Sequence, residues 1–181
     1  MRLARAAFAG LLGIGLAASG HSAAAASSAG AAKGGAQAQA ELQALKGSGV
    51  AGTVTFTRTG EHVFVQGSVT GLEPGKHGMH IHEGTSCEKP GSHFNPAGSP
   101  HGSPDQPHDL RHVGDLGNLV AMAKGGKAQY ARVDPLLRLD GNEAIVGRVL
   151  IIHQGEDDYL SQPSGNSGDP IACGVIRSGA G

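Results

Sequence analysis

Much of the chain reads as short runs in which apolar and polar positions alternate, with turn residues between them. In Gly52-Thr53-Val54-Thr55-Phe56-Thr57 the residues Val54 and Phe56 share one face, because successive side chains of an extended chain point to opposite sides. Thr59-Gly60-Glu61 then reads as a turn, Val63 to Val69 as the returning strand, and Leu72-Glu73-Pro74-Gly75 as a second turn. Gly78-Met79-His80-Ile81-His82-Glu83 follows as a strand that turns His80 and His82 one way and Met79 and Ile81 the other. Strand character resumes over Gly117 to Met122. A hairpin turn at Lys124-Gly125-Gly126-Lys127 leads into Ala128 to Val133, and Val146 to His153 is the most apolar run. Ile171 to Ile176 closes the series, and Leu42 to Leu45 opens it. Helical periodicity is not evident anywhere in the folded part. The pattern predicts an all-β domain, sandwich or barrel, of about eight short antiparallel strands.

Two segments break the alternation. Glu83 to His112 is rich in Gly, Pro, Ser and His, and Gln154 to Pro170 forms a second loop. Loops of such length inside a small domain are usually functional or disordered, and the scattered histidines favour function. With only 3% aromatic residues, no Trp and 31 glycines, the core is thin and the turns are many. A net charge of -1 gives no sign of a nucleic-acid partner or an anionic membrane surface.

The first residues read as a signal for export. Arg2 and Arg5 precede an apolar run from Ala6 to about Ala18, too short for a bilayer-spanning helix, and small residues from Ser22 to Ala26 offer cleavage sites. Residues 1–25 are therefore expected to be a signal peptide. Residues 26–40, nearly all Ala, Ser, Gly and Gln, are expected to be a disordered tether, and the folded domain to span residues 41–178. Export, with the periplasm as the expected destination and secretion or surface retention as alternatives, makes a Cys87–Cys173 disulfide the default.

The ten histidines concentrate between His77 and His112, and this is where chemistry is expected. Candidate ligands are His80, His82, His93, His101, His112, Asp115 and His153, with His108 a rival to His101. A nitrogen-rich set of this kind suits copper, zinc, iron or nickel rather than calcium or magnesium. Three histidines and one Asp would close a tetrahedral zinc shell, but spacing alone does not divide seven ligands between two metals.

Four segments carry a resemblance. Gly78-Met79-His80-Ile81-His82-Glu83, Gly91-Ser92-His93-Phe94-Asn95-Pro96, Arg111-His112-Val113-Gly114-Asp115-Leu116-Gly117-Asn118 and Ala172-Cys173-Gly174-Val175-Ile176 resemble, in order, signature segments of copper/zinc superoxide dismutases. The resemblance implies a Greek-key β-barrel and dismutation of superoxide to oxygen and hydrogen peroxide. It implies copper on His80, His82, His93 and His153, and zinc on His93, His101, His112 and Asp115. His93 would bridge the metals and relay the proton, and Cys87 would pair with Cys173. Asp157 would link a copper ligand to a zinc ligand, and His77 would tie loop backbone together. A homodimer is allowed by the resemblance without being required.

One departure matters. Where the family usually carries an arginine over the copper, three residues before the last Cys, this chain has Pro170. The loop from Gln154 to Pro170 also lacks Lys and Arg while holding Glu156, Asp157, Asp158 and Asp169. Lys89, Arg111 and Arg177 remain as cations that could reach the channel from elsewhere. The alternative function is a dismutase-like copper- and zinc-binding protein with little turnover, serving metal buffering or delivery.

Overall fold

The fold is that of a computed structural model, described over residues 36–179. Eight strands are present: β1 (Gln37–Ala44), β2 (Ala51–Thr59), β3 (His62–Leu72), β4 (Gly75–His82), β5 (Asp115–Ala121), β6 (Gly126–Asp134), β7 (Val149–His153) and β8 (Pro170–Ser178). They form one antiparallel sheet in the order β5-β4-β7-β8-β1-β2-β3-β6. Its two end strands, β5 and β6, lie against each other, so the sheet curls into a nearly closed barrel. Neighbours such as β3 and β6, β4 and β7, or β1 and β8 are distant in sequence, which makes the connections those of a Greek key. The all-β expectation therefore holds, and no described residue is helical.

Alternation explains most of the packing. In β3, Val63, Val65, Gly67 and Val69 face inward, and on the neighbouring β2 Val54 and Phe56 stand beside them, opposite Gly67 and Val65 in register. Strand β7 has no polar face, and the reason is burial on both sides. Leu150 and Ile152 enter the barrel core, while Val149 and Ile151 join Cys173 in a second apolar cluster beneath Leu45, Cys87 and Val175. The loop that follows β4 covers that outer face and is fastened to it by the Cys87–Cys173 disulfide.

The expected domain start needs a correction. Strand β1 begins at Gln37, so Gln37 to Ala40 belong to the barrel rather than to a tether. Composition misled because Ala38 and Ala40 are small. β1 nevertheless pairs on both sides, with β2 and with β8, and both alanines are fully buried in the core. The signal peptide, and the tether as far as residue 35, lie outside the described residues. Among the described residues no helix is long and apolar enough to cross a membrane.

Strand ends also shift. The β4 strand starts at Gly75 and stops at His82, β5 starts at Asp115, and β7 is shorter than the apolar run from Val146. Residues 92–94 take up the pairing that β5 leaves beside the end of β4: Phe94 N–H donates to Ile81 O at 2.8 Å, and Glu83 N–H to Ser92 O at 2.9 Å. This close approach needs Gly114, where a Cβ would collide with the Ile81 carbonyl.

Candidate metal centre

Two ligand-bearing groups meet on the outer face of the barrel, under the loops that follow β4 and β7. One candidate ligand atom from each of His80, His82, His93 and His153 falls within a common 4.8 Å, and the same holds for His93, His101, His112 and Asp115. All seven residues are buried, and His93 belongs to both groups. His80 and His82 come from β4, His153 from the end of β7, Asp115 from the start of β5, and the rest from the long loop after β4. The rival His108 is exposed and belongs to neither group.

Hydrogen bonds fix one nitrogen of most of these rings and leave the other bare. His80 Nε2 donates to Asp157 Oδ2 at 2.8 Å, His82 Nδ1 to the Gly91 carbonyl at 2.8 Å, and His153 Nδ1 to the Gly168 carbonyl at 2.9 Å. His101 Nε2 reaches Asp157 Oδ1 at 2.9 Å. Their opposite atoms, His80 Nδ1, His82 Nε2 and His153 Nε2, are buried without a hydrogen-bond partner, as is His93 Nε2, whereas His101 Nδ1 faces Asp115 Oδ2 at 3.1 Å. Orphaned buried nitrogens are costly, and a converging set of them is a preorganised cation site. On the other side of His93, its Nδ1 lies 2.8 Å from Asp115 Oδ1, and His112 Nδ1 lies 3.1 Å from the same oxygen. The second Asp115 oxygen accepts the His112 and Gly102 amides at 2.9 and 3.1 Å. The donor set fits two nitrogen-preferring metal ions.

Electrostatics differ between the two groups. Burial pushes His80 down to about 3 and His82 to about 4, and it lowers His153 as well, so these rings are neutral at neutral pH. At His101 burial also opposes charge, but hydrogen bonds to Asp115 and Asp157 outweigh it and raise the ring to about 9. Asp115 and Asp157 are held well below the usual carboxylate range; burial resists this, and the neighbouring imidazoles prevail.

This contrast predicts a pH response. Below about 9 a metal entering the second group must displace the His101 proton, so its affinity falls about tenfold per pH unit as acid is added. In the first group burial lowers His80, His82 and His153, so these three rings offer no such competing proton at neutral pH. Chelator competition at pH 8, 7 and 6 should show steeper weakening at the His101 group than at the His80 group.

Two surrounding residues, Asn118 and Gly165, have roles that sequence reading missed. Asn118 donates to the Asp157 carbonyl at 2.9 Å and accepts the Asp157 amide at 2.8 Å, doing for that loop what a neighbouring strand would do. Gly165 (φ +70) packs so tightly on Asp157 that any Cβ there would strike Asp157 Oδ1. His77 lies between the Glu73 and His153 carbonyls, at 2.9 and 3.0 Å. Asp157→Asn, with one acceptor oxygen in place of two, satisfies only one of the rings His80 and His101. Both metal affinities are expected to drop about 10–100-fold by titration calorimetry.

An open cavity of about 540 Å³ leads to the first group, lined by His82, Glu83, Gly91, Ser92, His93, Asn95, His112, His153, Pro163 and Ser164. None of these is Lys or Arg. Pro170 does not line the cavity, and neither do Lys89 or Arg177. Arg111, considered as a channel cation, is instead fully buried: it binds Asp134 at 2.8 Å and the carbonyls of His112 and Asp115.

An antiparallel barrel bearing seven buried imidazole and carboxylate groups on its outer face, in two clusters that share a histidine and could each hold a metal ion, narrows the class of protein. Comparison with known families makes this specific: residues 50–176 match the family described as copper/zinc superoxide dismutase (SODC), and the chain belongs to it.

Proposed function

We propose that the protein is an exported superoxide dismutase, with copper held by His80, His82, His93 and His153 and zinc by His93, His101, His112 and Asp115. The observation that carries this reading is the set of bare buried nitrogens, which supplies His80 Nδ1 and the Nε2 atoms of His82, His93 and His153 to one point. A copper ion held there would supply the one-electron redox chemistry that superoxide dismutation needs. The chain's own residues do the rest. Asp157, Gly91 and Gly168 fix the tautomers of three rings, so that unprotonated nitrogens face inward without rearrangement. His93, with Nδ1 toward Asp115 and Nε2 toward the first group, is placed to carry the proton that peroxide formation consumes. The disulfide suits an oxidising compartment such as the periplasm, and the leader-like first residues support export.

A cavity mouth with Glu83 and no cation lacks the charge that would focus an anion. Superoxide decay followed by pulse radiolysis, on protein carrying one copper and one zinc, tests the reading across ionic strength. Fast second-order decay with little salt dependence is the expected result. Decay no faster than in metal-loaded solution lacking the protein, with both metals bound, would leave a metal-binding relative without turnover.

A further inference from the structure

Arg148 immediately precedes β7, the strand whose far end carries His153, and its guanidinium reaches across to both other segments that bear the first ligand group. Its Nη1 donates to the Glu83 carbonyl at 3.1 Å, directly after His82, and its Cζ lies 3.6 Å over the centre of the Phe94 ring, directly after His93. The third anchor is Nε, donating to Ala144 O at 3.0 Å. The base of the side chain is equally fixed: the Arg148 amide donates to Ile145 O at 3.1 Å, and its carbonyl accepts Ile176 N–H at 2.8 Å. Phe94 is nearly fully buried in the main core, so the ring under the guanidinium is itself immobile.

From this geometry we propose that Arg148 is a positioning residue for the copper ligands, setting the mutual placement of the His82 and His93 rings. The proposal rests on the copper assignment made above. A single planar cation connects β4, the 92–94 segment and β7, which between them carry all four nitrogens of the group. His82 and His93 also pair directly as an isolated β-bridge, beyond the point where β5 has left β4. There the backbone pairing is short, and Arg148, reaching over from the β7 side of β4, adds a hydrogen bond to one of its segments and a ring stack to the other. Lysine cannot reproduce the arrangement, because a point charge can replace the hydrogen bond or the ring contact but not both in one plane.

The test uses Arg148→Lys and Arg148→Met in the full chain, loaded with zinc and titrated with copper. The copper dissociation constant and the Cu(II) electron paramagnetic resonance spectrum are recorded, with thermal unfolding of each protein. Val65→Ala on β3, a strand that carries none of the ligands, serves as a variant destabilised without touching the site. Both Arg148 variants are expected to weaken copper binding about 10-fold or more and to alter the hyperfine splitting, as loss of a supporting group does. Val65→Ala should lower the unfolding temperature and leave the spectrum unchanged. Arg148 variants with wild-type spectrum and affinity, whatever their unfolding temperature, would overturn the positioning role while leaving the copper site intact. A wild-type protein that binds no copper at nitrogen ligands would overturn the site assignment itself, and this role with it.

Discussion

Arg111→Met is expected to remove about 3–5 kcal/mol from the unfolding free energy, read as a lower denaturant midpoint. The guanidinium is fully buried, and its partner Asp134 is equally inaccessible. Without Arg111 the Asp134 carboxylate keeps two backbone donors, Leu136 and Leu137, and the Arg132 Nε at 3.6 Å, but it loses the 2.8 Å ion pair. An unpaired charge in a dry interior is the costly outcome, whereas removing both partners together is milder. Arg111→Met combined with Asp134→Leu should therefore recover a large part of the loss. The effect should also reach the site: Arg111 holds the carbonyls of His112 and Asp115 at 3.3 and 3.2 Å, so affinity at the second ligand group should fall along with stability.

The second large effect is at the disulfide. Cys87 and Cys173 stand 86 residues apart, and opening the bridge as the double Ser variant is expected to destabilise the fold by roughly 4–5 kcal/mol in the chain-entropy account. The metal centre should suffer too. Cys87 fastens the segment whose Gly91 carbonyl fixes His82, and the bridge closes the small apolar cluster over Val149 and Ile151. Equilibrium unfolding with and without bound copper would show both effects. If the double variant matched the wild type in both, the bridge would have no such role.

The reading of β4 from sequence held because strand geometry leaves no choice: two residues apart means the same face, and His80 and His82 indeed enter the same ligand group. Yet the opposite face is no more buried than theirs, since the loops after β4 and β7 cover the histidines. Ala38 and Ala40 were illegible for a different reason. Alanine carries little preference of its own, and only the pairing of β1 with both β2 and β8 makes those methyls core. The supporting residues depend on contacts far apart in sequence. Asn118 meets Asp157 across 39 positions and Arg148 meets Glu83 across 65, and no local pattern announces either pair. Arg111 shows the limit most clearly. A cation beside a ligand invites a substrate-facing role, and only its burial against Asp134 shows that it serves the scaffold.

Asp157 gives one oxygen to His80 and the other to His101, so a single carboxylate orients a ring in each ligand group. Occupancy of either group would therefore steady the shared carboxylate and lower the ordering cost of occupying the other. Thermodynamic linkage would then make the gain reciprocal: a metal in either group would strengthen binding in the other by the same factor, whichever arrives first.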